Sequence, residues 1–154
     1  MDVDQLLAGI DPTRPVEHRS NGIWAVWPGV DVRQMASVML AGGAYFSTLT
    51  CVPHGDGLRV IYHWTVNAHL VNIETAAVDG KLPSISDLLP AADWAEREAH
   101  DYFAIEFTGR VATPPLVLRD GDAPGLFSRT EDIGHDEDPA QVLRAVTQSR
   151  REPQ

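Results

Sequence analysis

The chain is predicted to fold as α+β, with helices packed on a mainly antiparallel or mixed sheet and an extended C-terminal arm behind it. Three observations predict this. Three consecutive runs between Tyr45 and Val78 alternate apolar and polar residues and are separated by turn-forming Gly or Asn. Two other stretches, 31–41 and 93–103, put apolar residues at helical spacing behind an Asp. After Gly109 the periodicity stops, and Pro114, Pro115 and Pro124 mark irregular chain. The organisation expected is a folded unit over 1–109 and an arm over 110–154 that ends in a helix.

The elements follow in order. Asp4 to Ile10 reads as a short helix stopped by Asp11-Pro12. Val16–Arg19 and Ile23–Trp27 flank Ser20-Asn21-Gly22, an Asn-Gly hairpin signal. Asp31 caps a helix to about Ala41, with Val32, Met35, Val38 and Met39 on one face and Gly42-Gly43 as a left-handed stop. Strands are expected over Tyr45–Pro53, Leu58–Asn67 and His69–Val78, with His54-Gly55-Asp56-Gly57 as the first turn. Val60, Tyr62, Trp64 and Val66 share one face of the second strand, so the sheet has one covered and one wetter face. Asp93 starts the next helix, with Glu96 three residues on as in a capping box. Pro139 opens a last helix to about Arg150, behind an acidic run from Glu131 to Asp138.

A chain of 154 residues is long enough for one domain with a real core. The net charge of −10 excludes a nucleic-acid binder and direct docking on anionic lipid, since both need clustered Lys and Arg. The start, Met1-Asp2-Val3-Asp4, is acidic where a leader needs positive charge, and the least polar stretch, Met35 to Phe46, is too short to span a bilayer. A cytosolic chain without membrane insertion is expected. The one cysteine, Cys51, cannot form an internal disulfide or hold an iron–sulfur cluster, and its place in a strand predicts a buried, inert thiol.

No phosphate-binding loop is present: there is neither Gly-x-x-x-x-Gly-Lys-Ser/Thr nor Gly-x-Gly-x-x-Gly. No Gly-x-Ser-x-Gly elbow exists. Glu96 and His100 fall four apart on one helix beside Asp101, a two-ligand hint of a small metal-binding protein or hydrolase. The plainer reading of that helix is a solvated charged face carrying a Glu96–Arg97–Glu98 ladder. His135-Asp136-Glu137-Asp138 lacks calcium-loop spacing.

The stretch from Pro83-Ser84-Ile85-Ser86-Asp87-Leu88-Leu89-Pro90 through Trp94-Ala95-Glu96-Arg97-Glu98-Ala99-His100-Asp101-Tyr102-Phe103-Ala104-Ile105 resembles the signature of the 30-kDa subunit family of respiratory complex I. That signature reads Pro-Ser-x-x-Asp-Leu-x-Pro-x-Ala-x-Trp, then Glu-Arg-Glu-x-x-Asp-x-Phe-Gly-Ile, and the same domain occurs in membrane-bound [NiFe] hydrogenases. The resemblance implies a non-catalytic subunit of an NADH:quinone oxidoreductase or hydrogenase assembly. Such a subunit docks on the large subunit at the cytoplasmic side of the membrane, together with other peripheral-arm subunits. It implies no cofactor on this chain; quinone, iron–sulfur and nickel–iron centres belong to the partners. By position, Trp94, Glu96, Arg97, Glu98, Asp101, Phe103 and Ile105 form the structural and docking core. Two departures stand out. The family Gly is Ala104 here, and the family's Gly-His-Pro-x-x-Arg-Arg is replaced by Gly109-Arg110-Val111-Ala112-Thr113-Pro114-Pro115-Leu116. They suggest a divergent, hydrogenase-linked branch.

Overall fold

An aspartate opens the first helix: Asp2 accepts the N–H of Val3, and α1 spans Val3–Ile10. The structure, a computed structural model, describes residues 2–55 and 57–127. The expected helix from Pro139, the acidic run before it and His135 lie outside the described residues, as does Asp56 of the first turn.

The strands β1 (Glu17–Arg19) and β2 (Gly22–Val26) form the expected hairpin, closed by the pair Arg19 and Gly22. The loop is therefore Ser20-Asn21, and Gly22 belongs to the strand. Its φ of +132° suits glycine, and a Cβ there would come within 2.8 Å of the Leu70 carbonyl oxygen.

The helix α2 spans Val32–Ala41, and Asp31 accepts the N–H groups of Arg33 and Gln34, as the sequence predicts. The two glycines behind it divide the work. Gly43 takes the left-handed conformation (φ +77°), and the bonds from Ala44 N–H to the Met39 carbonyl and Gly43 N–H to the Leu40 carbonyl form a Schellman stop. Gly42 makes room for Leu6 of α1, which occupies the place of a Cβ.

The strands β3 (Tyr45–His54), β4 (Gly57–Val66) and β5 (His69–Ala76) are antiparallel neighbours, and β5 then pairs in parallel with β2. The order β1-β2-β5-β4-β3 makes a mixed sheet. Register puts Ile23, Ala25, Val71, Ile73, Tyr62, Trp64 and Leu49 on one face, in one core with residues of the three helices. The core holds the predicted row Val60, Tyr62, Trp64 and Val66.

The other face is polar, yet its centre is dry. Asn72 and Glu74 of β5 are buried, at 1% and 8% exposure. Cross-strand partners cover them: His63 Nδ1 lies 2.7 Å from Asn72 Oδ1, and Arg59 donates to Glu74 Oε1 at 3.1 Å. Thr50 Oγ1, 2.9 Å from His63 Nε2, continues the row across β3. Alternation shows which residues share a face; the long side chains of flanking strands decide how wet that face is.

Three further elements follow among the described residues: β6 (Lys81–Pro83), α3 (Ala92–Phe103) and β7 (Glu106–Thr108). The strands β6 and β7 pair in parallel, which the sequence pattern did not reveal. This pairing brings the two ends of the 84–105 stretch together and presses α3 against β3.

Candidate functional site

The site is built on α3 and the two segments tied to it: the connector before it, residues 84–91, and the described part of the arm after it, residues 110–127. The helix begins two residues earlier than an Asp93 N-cap would start it, with Ala91 as N-cap and no side-chain capping bond. The reason lies upstream. Turns at Leu88, Leu89, Ala92 and Asp93, each donating to a carbonyl three or four residues back, run the connector straight into the helix. Asp93 therefore sits inside the first turn, where its charge suits the helix dipole, and the capping box does not form. Instead Asp93 Oδ1 accepts Arg110 Nη2 at 2.5 Å.

Glu96 is fully buried. Its carboxylate accepts Ser84 Oγ–H at 2.6 Å and Ile85 N–H at 2.8 Å, and Arg110 Nη1 lies 3.7 Å away. It closes the turn of the connector and does not reach back along its own helix. Burial pushes its pKa up, against the lowering pull of Ser84, Ile85 and Arg110. The same connector is clamped from the other side. Arg33 donates to both Asp87 carboxylate oxygens at 2.7 Å and to the Ser84 carbonyl at 2.6 Å, and its grip holds Asp87 at about 2.

Asp101 is the second buried acid of α3, 1% exposed. One oxygen, Oδ2, accepts the N–H groups of Leu116 and Val117 at 2.7 Å and of Leu118 at 3.4 Å. Burial opposes its charge, but these N–H groups outweigh burial and hold its pKa below the ordinary value. The last carbonyls of the helix are also used. The Asp101 carbonyl accepts Gly125 and Leu126 N–H, and the Tyr102 carbonyl accepts Phe127 N–H at 2.8 Å. Phe127 stacks on Tyr102, centroids 4.6 Å apart, and Phe103 meets Phe127 edge-on at 5.8 Å. Arg97 donates to the Pro114 and Pro115 carbonyls, and its near acid is Asp93 at 3.7 Å.

The expected solvated charged face with a Glu96–Arg97–Glu98 ladder is thus replaced by inward wiring. Glu96 and Asp101 are buried, and Arg97 grips the arm. Glu98 stays exposed, and Trp94 is 68% exposed on the outer side. Ile105 is buried and Phe103 half-buried.

The metal or hydrolase constellation does not assemble. Glu96 faces the connector, Asp101 faces the arm, and His100 Nδ1–H donates to the Ile105 carbonyl at 2.8 Å. Among the described residues no group of three His, Cys, Asp or Glu could hold a metal ion. Cys51 is half-buried, and burial with the nearby Glu98 carboxylate pushes its thiol up to about 12. A cavity of about 470 Å³ lies between α3, β7 and the arm, lined by Arg97, His100, Phe107, Arg110 and Leu118.

Sequence reasoning singled out neither Arg110 nor the Tyr102–Phe127 stack. Arg110 lies in the segment that departs from the family pattern, so nothing local marked it. Ser84 and Asp87 stood inside the quoted signature, and the structure shows what they hold.

Fold and wiring together define a small α+β domain organised around one acid-rich helix, its connector and a bound arm. Residues 26–126 match the model of the respiratory-chain NADH dehydrogenase 30 Kd subunit, and the chain belongs to that family. Among relatives, it is 37% identical over 83 residues to the second C/D subunit of the NADH-quinone oxidoreductase of Aquifex aeolicus, covering 50% of this chain and 14% of the relative. It is 35% identical over 74 residues to the C-type subunit of the same enzyme from Streptomyces coelicolor, covering 44% and 30%. The chain thus matches less than a third of the length of these curated relatives. The fold also resembles a trypsin-resistant fragment of Nqo5, with a TM-score of 0.62 and 20% identity over 73% of this chain and 100% of that one. It resembles a chain in the membrane-bound sulfane sulfur reductase, an archaeal respiratory membrane complex, with a TM-score of 0.69 and 21% identity over 99% and 93%. Among the described residues no helix is long and apolar enough to cross a membrane.

Proposed function

We propose that the chain is a non-catalytic subunit of an NADH:quinone oxidoreductase or hydrogenase-type membrane complex, docking on the large redox subunit and positioning it. It carries no redox group of its own; quinone, iron–sulfur or nickel–iron chemistry belongs to the partners. It sits at the cytoplasmic side of the membrane, held there through the complex.

One observation carries the reading. The helix at the centre of the family signature spends its buried acids internally and leaves Trp94 68% exposed beside an exposed Glu98. An outward tryptophan on a rigid, internally braced helix is the kind of anchor that dominates protein interfaces. The wiring supplies the rigidity: Glu96 fixes the connector and Asp101 fixes the arm, so the outer face needs no reorganisation on binding.

The test is recovery of an affinity-tagged full chain from detergent-solubilised native membranes, with the bound proteins identified. A large quinone- or nickel-type redox subunit at near-stoichiometric yield supports the proposal. Recovery of the chain alone, or turnover of a substrate by the purified chain, contradicts it.

A further inference from the structure

We propose that residues 110–127 form a strap that closes on α3 without help from any partner, with Asp101 as its latch, and that this strap opens as one unit while the sheet stays folded. The proposal concerns the isolated chain and does not rest on the docking reading.

Three fastenings of the strap lie on α3. Arg110 anchors its start on Asp93. In the middle, Asp101 Oδ2 gathers three consecutive N–H groups, and Arg97 donates to the Pro114 and Pro115 carbonyls just before them. At its end, Gly125, Leu126 and Phe127 cap the helix carbonyls, and the Phe127 ring stacks on Tyr102. None of these bonds touches the five-stranded sheet, so all can break while every ladder remains intact.

Apolar burial contributes only part of closure. Leu116 and Leu118 are half-buried, while Val111 is 83% exposed, Phe127 62%, and Val117 and Leu126 45% each. The 470 Å³ cavity between the strap, α3 and β7 is open to solvent. A segment held largely by polar bonds beside an open cavity belongs to the low-stability end of a domain, where local opening precedes global unfolding. The carboxylate of Asp101 holds the middle of the strap through charge-assisted bonds from three successive amides. Asp101 is thus a positioning residue: it fixes where the strap lies.

Hydrogen exchange on the intact chain, read by mass spectrometry, tests this. In the wild type, amides 116–118 and 125–127 exchange more slowly than free peptide but faster than those of β4 and β5. Asp101→Asn keeps the shape and removes the charge. It is expected to speed exchange in both strap segments by about tenfold or more, roughly the loss of one charge-assisted bond, while β4 and β5 keep their rates. Joint acceleration of 116–118 and 125–127 marks a single opening unit. Free-peptide exchange at 116–118 in the wild type overturns the proposal. So does an Asp101→Asn strap within twofold of wild type, or an equal acceleration in strap and sheet.

Discussion

The sharpest perturbation is at Glu96, where two substitutions separate hydrogen bonding from charge. Glu96→Leu fills a similar volume with apolar atoms. It strips the buried Ile85 N–H of its acceptor and removes one partner from Ser84 Oγ, which can turn to Ser86 Oγ at 2.8 Å. A buried donor left unpaired costs about 1–3 kcal/mol. With a smaller contribution at Ser84, a loss of about 2–4 kcal/mol is expected. Glu96→Gln retains an oxygen for Ile85 N–H and gains a donor for Ser84 Oγ, so it should stay within about 1 kcal/mol of wild type. The Arg110 contact at 3.7 Å is the one interaction Gln loses outright, and Arg110 keeps Asp93. The pH dependence adds a signed test. Burial raises the Glu96 pKa above its ordinary 4.5, so the folded chain holds that proton more tightly than the unfolded chain does. As pH rises from about 4.5 through the raised value, the wild type therefore loses stability that Glu96→Gln does not. Relative to wild type, the Gln variant should improve across that window and then level off. Urea denaturation followed by tryptophan fluorescence, repeated over pH with the m-value checked, measures both effects. Leu within about 0.5 kcal/mol of wild type would refute the buried-acceptor argument. Gln as damaging as Leu would show that the carboxylate charge, not its bonds, holds the connector.

Other expectations follow from single positions. Ala104 occupies the left-handed region (φ +56°) at the end of α3, so Ala104→Gly should stabilise the chain by about 0.5–1 kcal/mol in the same urea assay. Tyr62 Oη is buried without a hydrogen-bond partner, so Tyr62→Phe should be neutral or stabilising by up to about 1 kcal/mol; a loss above that would reveal a hidden partner. Cys51, its thiol held at about 12, should react with a disulfide reagent at pH 8 far more slowly than a free thiol and reach full rate only in denaturant.

Much of the fold was legible because the deciding interactions are local. Asp31 caps α2 through bonds that stay within three residues, and the row Val60–Val66 announces its face by alternation alone. At Ala104 the departure from the family glycine was visible in the sequence, but the left-handed backbone it carries (φ +56°) is a finding of the structure. What escaped is non-local. Nothing in three-residue segments shows that Lys81–Pro83 and Glu106–Thr108 will pair in parallel. Helical spacing put Glu96 beside other charges and so suggested a wet face. Its burial depends on Ser84, Ile85 and Arg110, which only the folded connector and arm deliver. Asp93 looked like a cap because the sequence does not show that the preceding turns run on into the helix. The seven residues carried over from the family resemblance divide into inward braces and an outward Trp94, and helical spacing alone did not show that division.

That division is tested most directly by calorimetric titration of the proposed partner, a purified large redox subunit, with the wild-type chain and with Trp94→Ala. The indole is mostly in solvent in the isolated chain, so the variant should melt within a few degrees of wild type. Its affinity should fall by about thirtyfold or more, as for an interface anchor worth about 2 kcal/mol. Unchanged affinity with Trp94→Ala, or no binding by the wild-type chain, would contradict it.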